Sequence, residues 1–183
     1  MARSLAHPVV GFLAEVGISH VIGVPDNTSA PIYAALAAKG GTEIRPLCAT
    51  REGEAMALAS GLWLGGAQPA VLIQNTGLLE SGDALRGTAS RMGVPLLLLI
   101  TCRGYAKARA MGLEPGKDSL NRDVLVRADL DSVAHMTEET LGAWGIPYHV
   151  LRDPEDPTPL RDAWEQARAE ERPVAVLLDP TLS

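Results

Sequence analysis

Ala49-Thr50-Arg51-Glu52-Gly53-Glu54-Ala55-Met56-Ala57-Leu58-Ala59-Ser60-Gly61 is the stretch that decides how this chain folds. An apolar, strand-like segment, Ile44 to Cys48, runs into it, and an Ala-rich helix runs out of it until Gly65-Gly66. Thr50 reads as the N-cap, with Glu52 and Glu54 in the first turn, where the helix macrodipole favours negative charge. Position 53 is Gly rather than Glu or Gln, so no capping box is expected. Two residues of separation rotate a helix by about 200°, so the two carboxylates point to different sides. Two readings stand for this segment alone. Both glutamates are dipole-stabilising surface residues, or Glu52 sits in a cleft at the carboxyl end of a buried strand, where open α/β sheets place their ligands. In the second reading a partly desolvated carboxyl exchanges a proton with a bound cofactor.

Outward from this stretch the pattern repeats. Ser4 to Val16 carries Leu5, Val9, Phe12, Leu13 and Val16 at helical spacing, with Ser4 as cap and Gly17 as stop. His20 to Val24 reads as a short buried strand, and Gly23-Val24-Pro25-Asp26-Asn27-Thr28 as a sharp turn into a helix over Ala30 to Ala38, stopped by Gly40-Gly41. Ala70 to Gln74 is apolar without alternation, as a strand buried on both faces should be. Asn75-Thr76-Gly77 reads as a turn, Glu80 to Arg91 as a helix, and Leu96 to Thr101 as the most apolar strand. Thr137 to Trp144, capped by Thr137, and Pro159 to Ala169 read as helices; Tyr148 to Leu151 and Val174 to Leu178 read as strands.

Alternating strands and helices with short connections predict an α/β fold: a doubly wound, mainly parallel six-stranded sheet with helices on both faces and right-handed crossovers. Arg103 to Arg127 breaks the rhythm. It is polar, with Arg103, Lys107, Arg109 and Lys117, and longer than an ordinary connection, which suggests a functional or partner-covered loop. A short helix is expected within Ser119 to Val126.

Composition narrows the function. A chain of 183 residues, 46% hydrophobic and 21% charged, suits one soluble domain with a core of small aliphatic side chains, since aromatics make up 4%. A net charge of −6 argues against nucleic acid or an acidic membrane as partner. The two cysteines, Cys48 and Cys102, suggest no disulfide framework, and the four histidines lack the spacing of a metal site. No signal peptide or membrane span is apparent, so a cytoplasmic protein is expected. The nucleotide-binding Gly-x-Gly-x-x-Gly, the Walker A sequence and the Gly-x-Ser-x-Gly elbow are all absent from the expected contexts.

In a parallel sheet the strand ends Pro25-Asp26-Asn27, Thr50-Arg51-Glu52, Gln74-Asn75-Thr76-Gly77 and Thr101-Cys102-Arg103-Gly104 share one edge. Taken in order, these motifs, with Gly23-Val24 before the first and Gly61 nine residues after Glu52, resemble the pyrimidine-binding domain of thiamine-diphosphate enzymes. Within that family they look most like the sulfopyruvate decarboxylase alpha subunit and the matching half of phosphonopyruvate decarboxylase. The resemblance covers most of the chain and is densest from Val21 to Gly104.

The resemblance implies that Glu52 is the catalytic carboxyl. It would hydrogen-bond N1′ of the cofactor's aminopyrimidine ring and so favour the tautomer that removes the thiazolium C2 proton. Gln74, Asn75, Thr76 and Gly77 would join Glu52 in lining the cofactor pocket. Asp26 and Asn27 would border the substrate, and Arg51 and Arg103 would pair with its anionic group, since arginine suits bidentate recognition of such groups. The family holds diphosphate and Mg²⁺ through Gly-Asp-Gly and Asn-Asn on a second domain. This chain has Ser81-Gly82-Asp83-Ala84 and no Asn-Asn. Residues 1–183 are therefore read as a single pyrimidine-binding domain, with the diphosphate-binding domain and most of the Mg²⁺ site on a separate beta subunit, in an α2β2 or larger assembly. The expected activity is decarboxylation of an anionic 3-substituted pyruvate. A carboligase subunit and a non-catalytic binding module are the alternatives.

Overall fold

A computed structural model describes residues 6–38, 43–116 and 120–179. Ser4, the Gly40-Gly41 stop, Lys117 and Ser119 lie outside the described residues. In chain order the elements are α1 (Ala6–Glu15), β1 (His20–Gly23), α2 (Ala30–Ala37), β2 (Arg45–Cys48), α3 (Glu52–Leu64) and β3 (Pro69–Gln74). Then come α4 (Asn75–Glu80), α5 (Gly82–Ala84), a π-helical segment (Leu85–Ser90), β4 (Leu97–Thr101), α6 (Tyr105–Ala110) and α7 (Arg122–Leu125). The chain closes with α8 (Val133–Ala143), β5 (Tyr148–Leu151), α9 (Thr158–Glu170) and β6 (Val174–Leu178).

The six strands form one sheet in the order β2-β1-β3-β4-β6-β5, and every pairing is parallel. β3, β4 and β6 are apolar along their length because helices cover both faces, which removes the alternation of a one-sided strand. α1, α2 and α9 pack on one face around Leu13, Val21, Leu72, Leu99 and Val176. α3, α4, the π-helical segment and α8 pack on the other around Met56, Ile73, Leu78, Leu98 and Leu177. β2, at one edge, is exposed at all four of its residues. Among the described residues no helix is long and apolar enough to cross a membrane.

Four expectations need correction. Asn75-Thr76-Gly77 is the first turn of α4, and the expected Glu80 to Arg91 helix is instead the short α5 followed by π-helical backbone. Thr137 is no cap: α8 starts after Ser132, and Thr137 is buried in its middle, with Oγ1 donating to the Val133 carbonyl at 2.7 Å. Packing sets that start, because the first turn of α8 lies on Gly104, where a Cβ would meet Ala134 Cβ at 3.3 Å. The N-cap of α3 is Arg51, in extended conformation (φ −144°, ψ 151°), not Thr50. Finally, the described residues of the 103–127 connection carry two short helices, α6 and α7. Tyr105 and Ala108 of α6 are buried against Ala134, while α7 forms where a short helix was expected.

Candidate active site

β2 and β3 lie on opposite sides of β1, so the connections leaving β1 and β3 run in opposite directions. In doubly wound folds such a reversal marks the carboxyl edge as the place where ligands bind. The segments after β1, β2, β3 and β4 bring Asp26, Glu52, Gln74 and Arg103 to that edge.

Glu52 is the first residue of α3, and the backbone on either side of it is pinned. On one side Glu54 Oε2 accepts from Thr50 N–H and Thr50 Oγ1, both at 2.8 Å. On the other, Glu80 from the end of α4 accepts from Gly53 N–H at 2.7 Å and from Arg51 Nε at 2.8 Å. The expected divergence of the two α3 carboxylates holds: Glu54 folds back on Thr50, while Glu52 lies over α4. The contact there is close enough that a Cβ on Gly77 would stand 2.5 Å from Glu52 Oε1 and 2.6 Å from its Cδ. The half-buried Glu52 carboxylate makes no hydrogen bond or ion pair with any other described residue.

The neighbouring groups are, by contrast, bound to one another. Asp26 Oδ1 accepts from Thr28 N–H at 2.6 Å and from Gln74 Nε2 at 3.0 Å, and Oδ2 accepts from Ser29 Oγ at 2.7 Å. Burial pushes the Asp26 carboxyl up, but the hydrogen bonds from Thr28 and Ser29 together outweigh it and hold its pKa below the ordinary 3.8. Thr28 Oγ1 also meets Thr101 Oγ1 at 2.6 Å, tying the ends of β1 and β4 together. The other end of the Gln74 amide accepts from Thr76 Oγ1 at 2.7 Å and, at 3.5 Å, from Arg103 Nη1. Arg103 in turn donates from Nε to Asp131 at 2.7 Å.

Asn75 is fully buried; its Nδ2 donates to the Arg103 carbonyl at 3.0 Å and to Thr137 Oγ1 at 3.1 Å, while Oδ1 has no partner. Asn27 is exposed in the turn after β1.

The structure thus brings Asp26, Gln74, Thr76 and Arg103 into one hydrogen-bonded web and Glu52 and Gly77 into direct contact. It places Asn75 beneath them, as a brace between α4 and α8. Arg51 is turned to Glu80. Sequence reasoning missed Glu80 and Asp131 as members of this edge, since their partners lie 27 to 29 residues away. A groove of about 910 Å³ lined by His20, Arg45 and Gln68 lies at the opposite edge, where the strands begin, and contains none of these groups.

A doubly wound sheet whose carboxyl edge carries a carboxylate unpartnered among the described residues has the layout in which α/β domains bind ligands. Comparison with known proteins narrows the class. Residues 3–122 match the model of the thiamine pyrophosphate enzyme, N-terminal TPP binding domain. The chain is 30% identical over 138 residues to the sulfopyruvate decarboxylase subunit alpha of Methanococcus maripaludis, covering 75% of this chain and 72% of that protein. It is 33% identical over 99 residues to the phosphonopyruvate decarboxylase of Streptomyces viridochromogenes, covering 54% of this chain but 24% of that longer protein. A third match, 39% over 59 residues, is to the sulfopyruvate decarboxylase subunit alpha of Methanocaldococcus jannaschii, covering 32% of this chain and 35% of that protein. The chain belongs to the thiamine pyrophosphate enzyme family, as its N-terminal TPP-binding domain.

Proposed function

We propose that this chain is the alpha subunit of a two-subunit thiamine-diphosphate-dependent decarboxylase acting on an anionic 3-substituted pyruvate of the sulfopyruvate or phosphonopyruvate type. The observation that carries the reading is the Glu52 carboxylate, seated on Gly77 at the carboxyl edge and unpartnered among the described residues. Its surroundings fit the cofactor's aminopyrimidine: Glu52 offers an acceptor that is free among the described residues, and Gly77 beneath it leaves the room that a side chain would fill. When bound, the cofactor supplies an acidic thiazolium carbon that adds to the keto group and holds the electrons released with CO₂.

Glu52 would hold and return a proton at the ring nitrogen N1′. Gln74, Thr76 and Gly77 would line the pocket, with Asn75 fixing the turn beneath them. Asp26 and Asn27 would border the substrate, and Asp26 would stay ionised at neutral pH. Arg103 would meet the substrate's anion by exchanging Asp131 for it; Arg51 would have to release Glu80 to do the same. A separate beta subunit would carry the diphosphate and Mg²⁺ sites. Two relatives named as alpha subunits support that division. The assembly would be α2β2 or larger.

The test begins with the chain purified from its source cells and weighed by native mass spectrometry. A second chain bearing Gly-Asp-Gly and Asn-Asn, with thiamine diphosphate, is expected. That assembly should release CO₂ from sulfopyruvate or phosphonopyruvate, and Glu52→Gln should abolish turnover while leaving assembly intact. A chain that arrives without cofactor, or a Glu52→Gln assembly with wild-type turnover, would overturn the proposal.

A further inference from the structure

We propose that Glu80 is a positioning residue for Glu52, a carboxylate on α4 that fixes where the first residue of α3 stands. This inference rests on the reading of Glu52 as the group that meets the cofactor.

The first turn of any helix leaves four N–H groups without intrahelical partners, and an N-cap side chain normally takes one of them. At α3 the N-cap is Arg51, whose guanidinium has donors and no acceptor, and no side-chain cap bond forms. The deficit falls directly beside Glu52. Glu80 fills it from another helix: Oε2 takes Gly53 N–H at 2.7 Å while Oε1 takes Arg51 Nε at 2.8 Å. Its carboxyl is held below the usual range, chiefly by the Gly53 N–H and further by the Arg51 side chain and the Glu52 N–H.

Gly77 and Glu80 lie three residues apart in α4, hence on one face of that helix. That face offers a bare backbone to the Glu52 side chain and a carboxylate to the Glu52 backbone. Position and orientation of the working carboxyl are therefore both set by α4. A Cβ at position 53 would stand 3.5 Å from Glu80 Oε2, in ordinary contact, so the bond to the Gly53 N–H does not itself require glycine there. Glu54, which holds Thr50, completes the clamp on the outer side.

The experiment uses the assembly loaded with thiamine diphosphate and Mg²⁺, without substrate, and follows exchange of the cofactor's C2 proton for deuterium. Glu80→Ala should slow that exchange about 100-fold, the effect of an ångström-scale misplacement. It should lower kcat in step, with KM changed less than about twofold, because the fault lies in proton transfer rather than in substrate binding. Glu80→Gln, which keeps the acceptor for Gly53 N–H, should restore most of the rate. Independently of activity, the Gly53 amide of the isolated chain should exchange with solvent faster in Glu80→Ala than in wild type.

Should Glu80→Ala fail to assemble, Glu80→Asp, one methylene too short to reach, should show the same loss with charge kept. A variant that loses melting temperature but exchanges C2 at the wild-type rate when loaded would overturn the proposal, since Glu80 would then only stabilise α3. A loaded Glu52→Gln assembly that exchanges C2 at the wild-type rate would instead overturn the role of Glu52 itself.

Discussion

Gly77→Ala tests the contact on which the site depends, and the structure gives the size of the effect. The added Cβ would sit 2.6 Å from Glu52 Cδ, whereas carbon atoms pack at roughly 3.5–4.0 Å. The carboxyl must therefore shift by about 1 Å. Forcing a methyl into packed structure costs about 1–3 kcal/mol, but alanine in a helix gains about 1 kcal/mol over glycine. Since Glu52 is only half-buried and its side chain can swing outward, the net loss of stability should fall between about 0 and 2 kcal/mol. Displacing a proton-transfer group by about 1 Å costs roughly 100-fold in rate, or about 2.7 kcal/mol of barrier. The functional penalty should exceed the structural one.

Thermal unfolding of the isolated chain and turnover of the assembly measure the two quantities separately. Gly61→Ala serves as the control, because nothing lies within 4 Å of its would-be Cβ and the same helix-propensity gain of about 1 kcal/mol should appear in the isolated chain. Wild-type turnover in Gly77→Ala would refute the placement of Glu52. A stability loss above about 3 kcal/mol would show the contact to be core packing instead.

Two further predictions concern charge. Arg109 of α6 donates to both oxygens of the fully buried Asp179 at 2.9 and 2.6 Å, and Arg152 stands 3.8 Å from the same carboxylate. Arg109→Ala should remove two charge-assisted hydrogen bonds from a buried carboxylate and cost about 3 kcal/mol in urea unfolding; a loss under about 1 kcal/mol would show that these two bonds contribute little. Asp26 titrates below its ordinary value in the folded chain, so its ionised form favours the native state above about pH 4, and that contribution drains away as pH falls through the depressed native pKa. The stability gap between wild type and Asp26→Asn should therefore narrow below about pH 4; a gap that stays constant down to about pH 2 would contradict the depressed pKa.

What the sequence discloses and what it hides divides along the range of the interactions. Ala70 to Gln74 and Leu96 to Thr101 are legible because burial on both faces leaves an unbroken apolar run, a purely local mark. The order in which Asp26, Glu52, Gln74 and Arg103 follow their strands then puts them on one edge of any parallel sheet. The start of α4 is illegible because Asn-Thr-Gly is turn chemistry by composition. It becomes helix only through contacts far along the chain: Asn75 with Thr137 of α8, and Gly77 with Glu52. The same holds for Thr137, which with two following glutamates has the local signature of a helix start. The true start at Ser132 follows from how α8 rests on Gly104. No local pattern announces Glu80 as the cap of α3, because the missing acceptor and its supplier are 27 residues apart.

The distribution of unpaired groups at the carboxyl edge carries a mechanistic consequence. Asp26, Thr28, Gln74, Thr76 and Thr101 satisfy one another, Arg103 is paired with Asp131, and Arg51 with Glu80. A ligand that bound through these groups would first have to break bonds already made, and each broken bond offsets part of what the ligand gains. Glu52 requires no such exchange. In the proposed function such a site would meet its cofactor through one carboxylate that is free among the described residues, and its polar web would keep the surroundings of that carboxylate in place. In the same proposed function an anionic substrate would be selected by a swap of partners, its sulfonate or phosphonate replacing the Asp131 carboxylate on Arg103. A 2-oxo acid with an uncharged 3-substituent would bring Arg103 no second anion in return for Asp131, so that ion pair would stay in place.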